Sequence, residues 1–193
     1  MLLCAQQEDA KAYPWFDKAE ATLEKGLQLG GFTDRGHAHL RTVCTNRSVL
    51  LEKEGRLEEA VRQAERATKF ASAMNRTNSR FWHAMLLART DQLEKGIAEI
   101  TEITTAAKVR PDDLILASLV CSLATDYAKN TREAVRRYSE QGRTLLRRAR
   151  EQWSTSQMKD FCKQDKAAVW AGERTQLHIG WLAELEKSEA SPK

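Results

Sequence analysis

The sequence predicts an all-α fold, and three observations carry that prediction. First, Ala, Leu, Glu, Arg, Lys and Gln dominate its 193 residues, against only 3 Pro and 9 Gly. The dominant types are good helix formers and the breakers are scarce. Second, apolar residues recur three and four positions apart, the period of one helical face, and no segment alternates as a half-buried strand would. Third, related short patterns recur at intervals of a few tens of residues, as they do where helix pairs stack. The length accommodates one domain with a substantial core or a short array of such pairs.

Taken in order, Pro14 suits the first turn of a helix that runs to Leu29 and presents Trp15, Phe16, Ala19, Leu23 and Leu27 on one face. Gly30-Gly31 ends it. A second helix is expected from about His37 to Lys53, a break at Glu54-Gly55, and a third helix from Leu57 to about Ala73. The polar run Met74 to Ser79 reads as a loop whose Asn78 or Ser79 caps a helix from Phe81 to about Thr90. Asp91-Gln92 is a short turn before a helix from Leu93 to Lys108. Arg110-Pro111-Asp112 stops that helix and starts the next, Asp113 to Lys129, which is apolar almost throughout. Asn130-Thr131 is a turn with Thr131 as a cap, and an arginine-rich helix continues to about Trp153. One or two further helices fill the tail before the polar end SEASPK. The expected organisation is a helical repeat array over 1–153, closing helices over 154–187 and a disordered tail over 188–193.

The repeat is visible in three segments. Leu57-x-x-Ala60-x-x-x-Ala64-x-x-Ala67 aligns with Phe16-x-x-Ala19-x-x-x-Leu23-x-x-Gly26-Leu27 and with Leu93-x-x-Gly96-x-x-x-Ile100-x-x-Ile103. The small residue at Ala19, Ala60 and Gly96 lets the two helices of a pair approach closely, and each pair then buries its other face on the next. These segments resemble the tetratricopeptide repeat. Ser48 or Ala84 supplies the small residue of the first helix, Leu51 or Leu87 follows three later, Gly55 sits in the turn, Leu57 or Leu93 opens the second helix, and Pro111 stands where the family closes a repeat. Cys44 and Arg80 replace the family's early aromatic, and spacings of 36 (Leu57 to Leu93) and 41 (Ala19 to Ala60) exceed the family's about 34 residues. The resemblance covers roughly the first 110 residues. It implies a right-handed superhelix of three to four antiparallel helix pairs.

The second half carries its own pattern. Tyr138 to Ala149 repeats the small residue at Gly142 and ends in Leu145-Leu146-Arg147-Arg148-Ala149; Leu182 to Lys187 reads LAELEK. This combination resembles the repeat region at the C-terminus of planctomycete-type bacterial serine/threonine protein kinases, and it implies a non-catalytic tail of a signalling protein. No Gly-rich loop, HRD or DFG occurs, so kinase chemistry is not expected of the chain itself.

The net charge of +4 is mild and does not call for nucleic acid. Cys4, Cys44, Cys121 and Cys162 are too few and too far apart for a disulfide scaffold or a metal-ligand spacing, so buried free thiols in a reducing, cytoplasmic setting are expected. Leu114 to Ala124 is too short an apolar run to span a bilayer, which leaves a membrane anchor to any larger parent chain. No cofactor is called for.

No catalytic constellation emerges. His37 and His39 lie two apart and point away from each other on a helix, so they do not chelate together. His83 and His178 stand beside aromatics, where packing accounts for them. Glu58-Glu59 and Asp112-Asp113 lie at helix starts and complement the helix dipole. Two surfaces remain as binding candidates. By the tetratricopeptide resemblance, Thr42, Thr45, Asn46 and Val49 line a concave groove in one repeat, and Asn78, Phe81, Trp82 and Met85 follow in the next. Asn grips a peptide backbone as donor and acceptor, and Trp and Met anchor it. Phe81 and Trp82 are adjacent, so at least one of them belongs to the core. The family's chaperone-tail clamp is not expected, because only Asn46 matches it. The second surface is the stripe Arg132, Arg136, Arg143, Arg147 and Arg150, flanked by Arg137 and Arg148, which would hold phosphates or an acidic peptide. Glu133, Glu140 and Glu151 interrupt it and no aromatics are interleaved, so a solvated face is the simpler reading and a nucleic-acid partner the less favoured one. A protein or peptide partner is expected, a polyanion on the arginine stripe is the alternative, and exposed end repeats leave room for a homodimer.

Overall fold

Ten helices make up the regular structure of the described residues, 9–30, 33–105, 108–128 and 131–190 of a computed structural model, and no strand occurs among them. They are α1 (Asp9–Gln28), α2 (Thr33–Lys53), α3 (Leu57–Lys69), α4 (Ala73–Leu87), α5 (Leu93–Thr104), α6 (Pro111–Tyr127), α7 (Arg132–Arg150), α8 (Thr155–Gln164), α9 (Lys166–Arg174) and α10 (Leu177–Ala190). The all-α expectation holds. The chain divides into two compact units, 1–86 and 87–193.

In the first unit α2 packs against both α1 and α3. Ala12, Phe16 and Leu50 form a small buried cluster with Tyr13 and Val43 against it. Pro14 does not begin α1; it lies inside that helix. Proline forfeits one helical hydrogen bond, but Ala12 on the preceding turn is buried, so packing carries the helix through it. Leu40, Cys44, Ser48 and Leu51 of α2 are buried, as are Ala60, Ala64 and Ala67 of α3. The three alanines thus occupy the closely packed face that the repeat pattern predicts, whereas Ala19 is only half-buried. The turn between α2 and α3 depends on Gly55, at φ +77°, where a Cβ is disfavoured. Its N–H bonds O of Glu52 at 3.0 Å, and the next N–H, from Arg56, bonds O of Leu51 at 2.9 Å, which closes the helix end.

The turn after α3 falls at Phe70–Ser72, so Met74–Ser79 is helix and neither Asn78 nor Ser79 acts as a cap. Phe81, Ala84 and Met85 share a buried side of α4, and Ser79 is buried as well. Burial of that side outweighs the weak helix preference of Asn, Thr and Ser.

In the second unit α6 is the central helix. Every residue from Asp113 to Thr125 is buried, and α5, α7, α8, α9 and α10 all pack on it. Pro111 occupies its first turn, as the sequence indicates. Tyr138, Gly142, Leu145, Leu146 and Ala149 form the buried face of α7. At Gly142 the approach is tight: a Cβ there would stand 2.8 Å from Cη2 of Trp181 and 3.0 Å from Cβ of Cys121. Thr131 precedes α7 without a side-chain capping bond.

The segment after Ser154 holds three helices rather than one or two. Ser154 and Gln157 form a reciprocal capping box for α8, and Asp165 accepts from the backbone N–H of Ala167 and Ala168 to start α9. Residues 188–190, expected in a disordered tail, complete α10, and 191–193 lie outside the described residues.

Candidate interaction surfaces

The first candidate surface lies on α2 and α4. Thr42, Thr45, Asn46 and Val49 recur at helical spacing on the side of α2 opposite Leu40, Cys44 and Leu51, and all four are half-buried. Thr42 Oγ1 donates to O of Ala38 at 3.0 Å and Thr45 Oγ1 to O of Arg41 at 2.8 Å, so both hydroxyl protons are spent on the helix backbone. The amide of Asn46 makes no hydrogen bond among the described residues, and neither does that of exposed Asn78. Trp82 is half-buried, and its Nε1–H donates to Ser48 Oγ at 2.8 Å, which ties α4 to α2. Met85 is fully buried and so belongs to the core rather than to a groove; Phe81 is buried likewise. The sequence places these two wrongly or rightly for one reason. Two turns of an apolar helix face look alike whether they meet a ligand or the protein's own interior.

On the other side of α2 an ionic lattice joins α1, α2 and α3. Glu20 of α1 pairs with Arg66 of α3 and lies 3.5 Å from Arg47 of α2, which also bonds Asp17 at 2.7 Å. Arg66 reaches Glu24 at 3.2 Å. Tyr13 donates to Glu54 Oε2 at 2.8 Å, with the Arg47 and Arg56 guanidiniums over its ring; burial first, then that carboxylate, push its hydroxyl up to about 12.

The second candidate surface is α7. Of the stripe predicted from sequence, Arg143 is occupied: its Nε and Nη2 donate to the two Glu184 oxygens at 2.9 and 3.1 Å, and it lies 5.4 Å from the Trp181 ring centre. This hydrogen-bonded pairing holds the Glu184 carboxyl below its usual range. Arg150 donates to Ser188 Oγ at 3.2 Å. Arg136 and Arg147 are exposed and make no hydrogen bond or ion pair among the described residues. The stripe is therefore only partly a free cationic face.

A second row on α7, missed in the sequence, is structural. Arg137 pairs with Glu94 and lies over the Tyr138 ring. Gln141 Nε2 donates to Thr101 Oγ1 at 3.2 Å, Arg148 Nη2 to O of Thr104 at 3.1 Å, and Gln152 Nε2 to O of Val109 at 3.3 Å. Positions 137, 141 and 148 share one face of α7, with Gln152 in the turn that follows, so the spacing was a readable signal. Two clefts open beside this row. One, of about 460 Å³, lies between α5 and α7; the other, of about 500 Å³, lies at the segment joining α5 to α6, and both include Arg148.

The titratable groups outside these surfaces are explained by packing. His178 is buried, with Nε2 2.7 Å from Ser118 Oγ, and burial lowers its pKa to about 4, so it is neutral at pH 7. His37 and His39 are exposed, and His37 stacks on Phe70 with ring centres 5.9 Å apart. Cys44 and Cys121 are buried and Cys162 half-buried; burial raises all three thiols, Cys44 and Cys162 to about 11. Cys4 lies outside the described residues. The acidic pairs at helix starts are held by local arginines: Glu59 by Arg56 at 2.6 Å, Asp112 and Asp113 by Arg110 at 3.0 and 3.2 Å. Among the described residues no three His, Cys, Asp or Glu side chains are grouped to hold a metal ion, and no helix is long and apolar enough to cross a membrane. No protein-family model, curated protein or solved structure matches the chain.

Proposed function

We propose that the chain is a non-catalytic docking module of the tetratricopeptide type, which binds a protein or peptide on the α2–α4 surface of its first unit. The observation that carries the proposal is the pair of side-chain amides, Asn46 and Asn78, that have no hydrogen-bond partner among the described residues. A side-chain amide offers donors and an acceptor together, the set that a peptide bond requires. Thr42, Thr45 and Val49 extend the surface, and Trp82 is fixed by Ser48 as its aromatic edge. On the likeness of Tyr138 to Ala149 and Leu182 to Lys187, the module serves as the C-terminal domain of a larger bacterial kinase-type signalling protein and works in the cytoplasm, with any membrane anchor elsewhere in the parent.

The polyanion alternative has less support, because Glu184 neutralises Arg143 and Glu94 neutralises Arg137. The discriminating experiment is affinity capture with the full chain, comparing wild type with Asn46→Ala/Asn78→Ala. Loss of a protein partner at unchanged thermal stability is the expected outcome. An unchanged set of captured proteins would remove the α2–α4 surface from consideration. Self-association at micromolar concentration that the same substitutions abolish would make a second copy of the chain the partner.

A further inference from the structure

A cleft of about 280 Å³ opens between α1 and α2 in the first unit, lined by Thr22, Leu23, Gly26 and Leu27 on one side and by Arg35 and His39 on the other. Two glycines shape it. A Cβ on buried Gly36 would stand 2.8 Å from Cδ2 of Leu27, so the helices close up there, whereas a Cβ on Gly26 would meet nothing within 4 Å. Trp15, 61% exposed, extends the cleft along α1. Positions 15, 22 and 26 fall within about 40° around the helix and span about 16 Å of its length. The charge around this face has one sign. Among the described residues no carboxylate lines the cleft, whereas the clefts along α7 each carry at least one. Lys18 and Lys25 flank it on α1, within about 60° of Thr22 around that helix. The side chains of Lys18, Lys25, Arg35 and His39 are exposed and make no hydrogen bond or ion pair among the described residues. The neighbouring carboxylates point elsewhere. Asp17, Glu20 and Glu24 are held by Arg47 and Arg66, and Asp34 projects about 140° from His39 around α2.

We infer that this face docks an amphipathic helix of a partner protein, its apolar side chains toward Trp15 and the cleft and its carboxylates on both edges. The inference rests on the docking reading above and names the partner chemistry at the α1 end of that surface. Positions 35, 39, 42 and 46 step along one side of α2, so the cleft adjoins Thr42 and Asn46. A groove between two helices accepts the side-chain ridge of a third. Anchors at every third or fourth residue of a docked helix cover the distance from Trp15 to Gly26 in three turns. Carboxylates on its edges then meet Lys18 and Lys25 on one side and Arg35 on the other through charge-assisted bonds. An anionic bilayer is flat and leaves the concave cleft unfilled, and a phosphate backbone gains nothing from Leu23 and Leu27. A helix with leucine-type side chains and acidic edges uses the aliphatic lining and the cations together.

The test uses the full chain and a fluorescein-labelled peptide of three Leu-Glu-Gln-Leu-Ala-Gln-Glu heptads, which carries Glu on both edges of its apolar stripe. A control peptide has Lys in place of every Glu. Anisotropy titration should show saturable binding of the Glu peptide alone, weakening as salt is added. Lys25→Glu/Arg35→Glu and Trp15→Ala should each lower the affinity about tenfold or more. Neither should change the melting temperature, because all three side chains are exposed. Asn46→Ala/Asn78→Ala leaves the peptide affinity intact, as does Arg136→Glu/Arg147→Glu on α7. Absence of saturable binding to wild type overturns the inference, as does equal binding of the Lys peptide or indifference to the substitutions on α1 and α2. Tighter binding of phosphatidylserine vesicles or of oligothymidylate, lost in Lys25→Glu/Arg35→Glu, overturns it in favour of a membrane or nucleic-acid surface. Loss of protein capture in Asn46→Ala/Asn78→Ala reports on the α2–α4 contacts alone, so the two claims fail separately.

Discussion

At the scale of single residues, two positions in the second unit set measurable limits. Gly142 is a helix-interior glycine, where alanine normally gains about 1 kcal/mol. Here the new Cβ would press on Trp181 and Cys121, and overpacking costs about 1–3 kcal/mol. The steric term should win, because Trp181 is buried and has no room to retreat. Gly142→Ala should therefore lower the melting temperature, and Trp181→Phe in the same chain should recover part of the loss by removing the ring atoms that clash. A higher melting temperature for Gly142→Ala would mean the helices are not in contact there. His178 gives a pH signature. Its folded pKa, about 4, is depressed below the ordinary 6.5 by burial. The unfolded chain thus binds a proton that the folded chain refuses, and stability falls as pH drops from about 6.5 towards 4, by about 3 kcal/mol at the lower end. Chemical denaturation across that range should show this slope for wild type and lose it in His178→Gln.

At the scale of elements, side-chain hydrogen bonds decide where helices start and how they join. Ser154 and Asp165 satisfy the first N–H groups of α8 and α9, so Ser154→Ala and Asp165→Ala should each cost about 1 kcal/mol in urea unfolding. Ser48 accepts the Trp82 indole N–H. Ser48→Ala leaves a half-buried donor without its partner and should destabilise the first unit by about 1–2 kcal/mol, with a shift in tryptophan fluorescence as the direct readout. The same scale shows what the sequence makes legible. Gly55 and Pro111 mark boundaries through backbone conformation, a local property, and both boundaries stand. Pro14 and Asn78-Ser79 mislead, because burial of Ala12 before the proline, and of Ser79 at the end of the polar run and Phe81 beyond it, overrules local preference. Buried Ala60 and Gly142 were readable as close-approach positions. The polar row from Arg137 to Gln152 was not assigned, because arginines on a helix look solvated until the facing carbonyls and hydroxyls are in place.

At the scale of the whole molecule, the proposed docking function rests on surfaces. His37, His39, His178 and the described cysteines are explained by packing or exposure; side chains with unused hydrogen-bonding capacity include Asn46, Asn78, Arg136, Arg147 and Lys108 at half-buried or exposed positions and, among buried atoms, Arg41 Nε, Gln63 Oε1 and Ser79 Oγ. Repeat spacing is the whole basis for proposing Thr42, Thr45, Asn46, Val49, Asn78 and Trp82 as a partner surface, and pattern alone did not separate Met85, which is buried, from the core. The central claim is that partner docking depends on the α2–α4 surface. It is tested most directly by quantitative capture with wild type and Asn46→Ala/Asn78→Ala, each confirmed folded by circular dichroism. The account predicts that one or more protein partners fall by about tenfold or more in the variant, as expected when central interface side chains are truncated. Equal recovery of every partner by the two chains would contradict it.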